Sequence, residues 1–95
     1  MRRSLPEEIR NACTSNDAAA IRRMIADGID VNAQGLMAET ALHWAVKFSS
    51  IDVIKELLAA GADLSIPDND GKTPLNLAEE SQYRGMVDIV KEAAQ

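Results

Sequence analysis

The chain has 95 residues, a formal net charge of −5 and an apolar fraction of 46%, with aromatic residues making up only 3% of the sequence. This length allows one small domain, and a core of Ala, Leu, Ile and Val suits packed helices better than a β-sandwich. An acidic chain without a long basic run is a poor partner for nucleic acid. A single cysteine excludes an internal disulfide, and no apolar run is long enough to cross a membrane, so we expect a cytoplasmic protein.

The first predicted unit covers residues 4–33 and contains two helices. Ser4 and Glu7 have the spacing of a capping box at the start of the first helix. Asp17 is the expected N-cap of the second helix, AAAIRRMIADG, whose apolar residues recur along one stripe. Gly28 follows this stripe, and we expect it to end the helix in the left-handed conformation.

The second predicted unit, residues 34–66, repeats this order. Thr40 can cap the first helix through its hydroxyl, and Ser50 is the expected cap of the second helix, IDVIKELLAAG. Gly61 follows the apolar stripe of that helix, so we expect it to end the helix as Gly28 does.

The third predicted unit, residues 67–95, differs in its second half. Thr73 is the expected cap of the first helix, and Pro74 follows at the first helical position, where a missing N–H costs nothing. The second helix, VDIVKEAAQ, starts three residues later than the period predicts, so three extra residues lie in EESQYRGM.

Residues of the same kind recur 33 positions apart. The matched pairs are Thr40 and Thr73, Leu42 and Leu75, Ala45 and Ala78, Gly28 and Gly61, and Asp30 and Asp63. A period of this length with two helices in each copy is typical of repeat proteins, in which each unit packs on its neighbours. The sequence therefore predicts three copies of one unit, of which the first and last are atypical.

The segments ETALHWAV, DNDGKTPLNLAE and IDVIKELLAAGADLSI resemble ankyrin repeats. The Thr-Pro-Leu-His signature of that family appears as TALH at residues 40–43 and as TPLN at residues 73–76. The resemblance implies an all-α solenoid of helix-turn-helix units with short β-turn or hairpin-like connections, forming one domain over residues 1–95. It also implies a protein-interaction module that is not an enzyme and needs no cofactor.

A Cys–His hydrolase site, with Cys13 as nucleophile and His43 as base, is the alternative function. It requires a hydrogen bond between the two side chains and a depressed pKa of the thiol. The resemblance instead gives His43 a structural role, in which it hydrogen-bonds locally and ties the helix start to the neighbouring turn. Cys13 stands one period before Val46, which favours a packed apolar side chain at this position.

Two further features have simpler structural interpretations. Trp44 stands where the next unit has Leu77, which favours a core or inter-unit position over a partly exposed one. The segment PDNDGK at residues 67–72 has oxygen ligands before a glycine, as calcium loops have, but it lacks their closing Glu. One His and one Cys also lack the spacing of zinc ligands, so we expect no metal site.

The resemblance places the partner surface on the concave side of the stack, formed by the turn tips and the inner face of the first helices. The candidate partner-binding residues are Leu36, Met37, Glu39, Lys47, Phe48, Asn69, Asp70, Lys72, Glu80 and Ser81. Thr14, Ser15 and Asp27 of the first unit are expected near the same groove.

The middle turn, AQGLMAETA, differs from the pattern of the third unit. Gly35 stands where the third unit has Asp68, and Ala38 stands where it has Gly71. Because glycine tolerates a positive φ and alanine does not, the geometry of this turn is in doubt.

Leu36 and Met37 occupy the tip of the middle turn, and Phe48 is expected nearby. Together they predict a small exposed apolar patch, unless the tip folds back and buries itself or is mobile. A protein partner would dock rigidly on such a patch, with Phe48 and Met37 as anchors. Weak self-association through the same patch is the third hypothesis, so we expect a monomer or a weak dimer that binds neither nucleic acid nor membrane.

Overall fold

A computed structural model describes residues 4–94, and this part of the chain contains six helices and no strand. The helices are α1 (Glu7–Ser15), α2 (Ala18–Ala26), α3 (Ala41–Lys47), α4 (Ile51–Ala59), α5 (Pro74–Glu80) and α6 (Arg84–Ala93). The prediction of an all-α fold is confirmed. The predicted displacement of the second helix in unit 3 is wrong, because α6 begins at Arg84, 33 residues after Ile51 at the start of α4.

The helices pack in two layers that follow the repeat. The first helices α1, α3 and α5 lie side by side, and the second helices α2, α4 and α6 form the adjacent layer. One continuous apolar core runs between the layers through all three units. Its fully buried members include Ile21, Leu42, Ile54, Leu57, Met86 and Val90.

Thr40 and Thr73 begin α3 and α5 as predicted. Each hydroxyl accepts a hydrogen bond from the backbone N–H three residues later, on His43 and Asn76 respectively. The side chains of His43 and Asn76 accept in return from the backbone N–H of the two threonines, which completes a reciprocal capping box. At the other helix ends, Gly28 and Gly61 adopt φ angles of 93° and 88°, so the predicted left-handed stops are confirmed.

One predicted cap is wrong, and another has the predicted position but makes no capping hydrogen bond. Helix α1 begins at Glu7 after Pro6, with no capping hydrogen bond from a side chain, so Ser4 and Glu7 form no capping box. Ser50 precedes α4, but its hydroxyl donates to the carbonyl oxygen of Cys13 instead of capping the helix.

Asn16 caps α4 from another unit. This residue ends α1 in the left-handed conformation, with a φ angle of 57°. Its side-chain oxygen accepts hydrogen bonds from the backbone N–H groups of Asp52, at 3.0 Å, and Val53, at 3.2 Å. These are the first-turn donors that the Ser50 side chain leaves free. The contact connects unit 1 to unit 2 at the start of a buried helix.

The middle and third turns have the same geometry. The N–H of Gly35 donates to the carbonyl of Glu39 at 2.8 Å, and the N–H of Asp68 donates to the carbonyl of Lys72 at the same distance. Ala38 adopts a φ angle of 59°, close to the 77° of Gly71 at the equivalent position. The doubt about the middle turn was therefore misplaced, since the surrounding fold holds Ala38 in the left-handed region.

The close approach of Leu5, and not the place of Gly35 in the turn, favours glycine at this position. A Cβ atom at Gly35 would lie 3.0 Å from the backbone nitrogen of Leu5 and 3.1 Å from its Cγ. Leu5 is buried against this turn at 6% exposure. Aspartate, which stands at this position in the third unit, would therefore displace the N-terminal segment.

Candidate functional site

The tip of the middle turn is exposed and apolar. Leu36 and Met37 are 59% and 53% exposed, and Phe48, at the end of α3, is 52% exposed. The tip does not fold back into the core, because Ala38, and not the tip residues, takes the buried position in this turn. We call these three residues the apolar patch.

Phe48 of the apolar patch forms an aromatic pair with Trp44. Their ring centroids are 6.1 Å apart, with an interplanar angle of 13°, so the rings are stacked. Trp44 is partly buried and packs against the core, so it combines features of the two positions weighed for it. The pair lines a depression of 250 Å³ together with Glu39 and Lys47.

A second depression adjoins the first and shares Glu39 and Trp44 with it. It has a volume of 190 Å³ and separates the turn from the N-terminal segment. Its lining residues are Ser4, Leu5, Arg10, Gly35, Leu36, Met37, Glu39 and Trp44. Apolar side chains therefore border both depressions.

Two ion pairs join a turn to the end of the following helix, and their polarity is reversed between units. In unit 2, Lys47 at the end of α3 contacts Glu39 of the turn. In unit 3, Lys72 of the turn contacts Glu80 at the end of α5, at 2.5 Å. The hydrogen bond from Lys72 to Glu80 raises the pKa of Lys72 above its ordinary value. Each unit thus carries one acid and one base, in opposite order.

The tip of the third turn is polar. Asn69 and Asp70 are exposed, and the Asp68 carboxylate accepts backbone hydrogen bonds from Asp70 at 2.9 Å and Lys72 at 3.0 Å. Desolvation acts to raise the pKa of Asp68, but these hydrogen bonds outweigh it and hold the pKa below its ordinary value. Ser81 ends α5 and is half-buried. Its hydroxyl accepts a hydrogen bond from the backbone N–H of Tyr83 at 3.1 Å.

His43 uses both ring nitrogens in structural hydrogen bonds. Nδ1 accepts from the backbone N–H of Thr40 at 3.0 Å. The proton must therefore lie on Nε2, which donates to the carbonyl of Lys72 at 2.9 Å. This neutral tautomer ties the start of α3 to the turn of the next unit, which is the structural role that the resemblance implied.

Cys13 is fully buried, and its thiol hydrogen-bonds to the carbonyl oxygen of Ala41 at 3.5 Å. Its bonding partner is thus a backbone carbonyl and not the imidazole of His43. Burial raises the pKa of Cys13 from 9.0 to about 12, so the thiol keeps its proton at neutral pH. The hydrolase alternative required a depressed pKa of the Cys13 thiol, and that expectation is wrong.

Residues 9–94 match the profile of ankyrin repeats in three copies. The chain belongs to the ankyrin repeat family. Ankyrin repeats are in general protein-interaction modules, and the resemblance of the signature segments is confirmed.

Relatives of this ankyrin repeat chain are much longer proteins. It is 39% identical over 85 residues to the Neurogenic locus Notch protein of Drosophila melanogaster, covering 88% of this chain and 3% of that one. It is 31% identical over 84 residues to ankyrin repeat domain-containing protein 40 of Homo sapiens, covering 87% of this chain and 23% of that one. A putative ankyrin repeat protein of Acanthamoeba polyphaga mimivirus is 36% identical over 69 residues, with coverages of 73% and 10%. The chain thus spans less than a quarter of the length of these relatives.

Sequence reasoning missed one feature of this ankyrin stack. A groove of 580 Å³ is formed by the end of unit 2 together with unit 3. It is lined by Leu58, Ala62, Asp63, Leu64, Ser65, Thr73, Leu75, Ala93 and Ala94. Leu75 is half-buried here, whereas Leu42, one period earlier, is fully buried. The repeat could have predicted this difference, because the next unit covers Leu42.

The part of the chain that the structure describes contains no cluster of three or more His, Cys, Asp or Glu side chains that could hold a metal ion. No helix within residues 4–94 combines the length and apolar character needed to cross a membrane.

Proposed function

We propose that this chain is a non-catalytic module that binds a protein partner on the concave side of its ankyrin stack. The observation that supports this most directly is the apolar patch at the middle turn. Large apolar side chains exposed to water return no folding energy at that position, and they are typical of surfaces that bury on association. The proposed binding residues are Leu36, Met37, Glu39, Lys47, Phe48, Asn69, Asp70, Lys72, Glu80 and Ser81.

Phe48 and Met37 are the proposed anchors. Phe48 is held by its stack on Trp44, which reduces the rotamer freedom that it must lose on binding. The backbone beneath Met37 is fixed by a hydrogen bond from the N–H of Asn69 to its carbonyl at 2.9 Å. Both anchors therefore sit on rigid supports, which favours docking without rearrangement of this chain.

The ion pairs would set the register of the partner. Lys47 and Lys72 are 42% and 45% exposed, and each is already neutralised by its acid. Exposed pairs of this kind contribute little affinity, but they disfavour partners of the wrong charge pattern. We place the protein in the cytoplasm, because a reduced cysteine and the absence of a disulfide suit a reducing compartment.

Affinity capture with matched variants tests this proposal. Wild type, Phe48→Ser and Tyr83→Ser are immobilised and exposed to the same cell extract. Tyr83 is exposed to the same 52% as Phe48, but it precedes α6 and lies outside the proposed surface. We expect a protein that wild type and Tyr83→Ser retain equally and that Phe48→Ser retains at least about ten-fold less. Equal retention by all three proteins would contradict the proposal.

A further inference from the structure

Met37 differs from the other sulfur-bearing residues of the chain in its exposure. The chain has one cysteine and four methionines, and all of them except Met1 lie within the described residues. Cys13 and Met86 are fully buried, and Met24 is 5% exposed. Met37, at the tip of the middle turn, is 53% exposed. Among residues 4–94 it is therefore the one sulfur-bearing side chain that lies in solvent.

Exposure decides which of these side chains reacts with a dissolved oxidant. A thioether takes one oxygen atom from hydrogen peroxide to form a sulfoxide, and water is released. Met24 and Met86 can react in this way only when the core around them opens. Burial also raises the pKa of Cys13, and the thiolate is the form of a cysteine that reacts. Peroxide is thus directed to the tip of the middle turn.

The backbone at the tip is held without help from the Met37 thioether. The carbonyl of Met37 accepts a hydrogen bond from the N–H of Asn69 at 2.9 Å, and the N–H of Ala38 donates to the carbonyl of Gly35 at 3.0 Å. Met37 is not a member of the apolar core, and the buried position in this turn belongs to Ala38. Oxidation of the sulfur therefore changes the surface and removes no core contact.

The cost of a sulfoxide at this position falls on the bound state. Met37 lies in the apolar patch with Leu36 and Phe48, and a partner that docks there takes the patch out of water. A sulfoxide oxygen is a hydrogen-bond acceptor, and its transfer from water into an apolar contact is unfavourable. In the free protein the same oxygen stays hydrated. Oxidation therefore weakens docking and leaves the folded chain intact.

We propose that Met37 is an oxidation site through which peroxide switches off the partner surface. The sulfoxide replaces an apolar anchor by a polar and chiral side chain. Reduction reverses the change, because a methionine sulfoxide reductase removes the oxygen as water while two thiols of its reductant become a disulfide. This inference rests on the proposed function, because it concerns the regulation of the same surface.

Peptide mapping by mass spectrometry tests whether the reaction selects Met37. Native wild type is treated with hydrogen peroxide, and the gain of one oxygen is followed at each methionine. We expect Met37 to oxidise at least about ten-fold faster than Met24 and Met86. In urea, where the chain is unfolded, the three rates should converge. Equal rates in the native protein would overturn the proposal.

Met37→Leu is the matched control for the effect on the surface. It keeps an apolar side chain at the tip and lacks the sulfur, whereas Met1 is present in both proteins. Retention on a phenyl column measures the apolar character of the surface with no partner present. We expect peroxide to weaken the retention of wild type and not that of Met37→Leu, and sulfoxide reductases for both epimers to restore it. An equal effect on both proteins would overturn the proposal.

Urea unfolding separates a change of the surface from damage to the fold. Because Met37 makes no core contact, oxidised and untreated wild type should unfold at the same midpoint. A lower midpoint after selective oxidation of Met37 would show that its thioether supports the fold. That result would overturn the proposal, because loss of binding would then follow from unfolding.

Capture from the same cell extract tests the effect on docking. The protein whose retention depends on Phe48 should be retained at least about five-fold less by oxidised wild type, and equally by treated and untreated Met37→Leu. Unchanged retention by oxidised wild type would overturn this inference and leave the proposed function standing. If no Phe48-dependent protein is captured, the proposed function fails and the control of docking fails with it. Peptide mapping still decides in that case whether Met37 is the oxidation site.

Discussion

Burial decides the chemistry of Cys13. The thiol is enclosed by the core and has a backbone carbonyl as its hydrogen-bond partner, so it packs as a small apolar side chain. Val46 has the same role one period later and is similarly buried. The pair shows how an isolated reactive residue type can be fully explained by its position in a repeat.

The raised pKa of Cys13 predicts a pH dependence of stability. The unfolded chain loses the thiol proton above about pH 9, whereas the folded chain keeps it until about pH 12. The stabilising contribution is therefore fully present below pH 9 and is lost as the pH rises towards 12. We expect the unfolding free energy of wild type, relative to Cys13→Val, to fall across this window in urea titrations. A difference that stays constant from pH 8 to 11 would show that the thiol is accessible.

Ala38 and Gly71 provide a reciprocal test of the turn geometry. Both have a positive φ, which costs alanine about 1 kcal/mol relative to glycine. Gly71→Ala should therefore lower the unfolding free energy by about 1 kcal/mol, since its Cβ would meet no atom within 4 Å. Ala38→Gly should change it by less than about 1 kcal/mol, because relief of the positive φ is offset by the loss of a buried methyl group and by the added freedom of the unfolded chain. Chemical denaturation measures both changes, and an unchanged stability of Gly71→Ala would contradict the shared geometry.

At the scale of helices, the sequence predicted which elements exist better than how they begin. Periodic apolar residues and the Thr caps placed α3 to α5 correctly, because these signals are local. The cap of α4 could not be predicted in the same way. Its side-chain acceptor, Asn16, lies 36 residues before Asp52, and only the packing of unit 1 on unit 2 brings them together.

The candidate site shows the same division. The repeat placed Glu39 and Lys47 on one surface, and the structure pairs them. Exposure of the tip followed from the turn register. The stack of Trp44 on Phe48 did not, because the period compares Trp44 with Leu77, which has no aromatic neighbour four residues later.

His43 contributes at the level of the helix through two separable hydrogen bonds. Asn76 makes the capping contact in the next unit without the second one, so His43→Asn should keep the cap of α3 and lose only the bond to the Lys72 carbonyl. We expect a loss of about 1 kcal/mol for His43→Asn and about 2–3 kcal/mol for His43→Leu, which removes both bonds. Urea unfolding of the two variants measures the difference. Equal losses would assign the whole effect to the bond with the Lys72 carbonyl.

At the scale of the molecule, three units share one core, so a defect in the middle should affect all of them. Leu57 of α4 is fully buried between the helix layers. Leu57→Ala should lower the unfolding free energy by roughly 2–5 kcal/mol and leave a single unfolding transition. Circular dichroism and tryptophan fluorescence should report the same midpoint. A loss below about 1 kcal/mol would mean that Leu57 is not a core residue.

Because Asn16 caps α4, the coupling between units 1 and 2 can be measured at individual backbone amides. In most helices the first-turn amide protons exchange with solvent as the end frays. Here the amide protons of Asp52 and Val53 are bound by a side chain of unit 1, so their release requires that the Asn16 side chain leave the start of α4. Their deuterium exchange rates therefore report how often this contact between neighbouring repeats opens. Global denaturation does not resolve that local event.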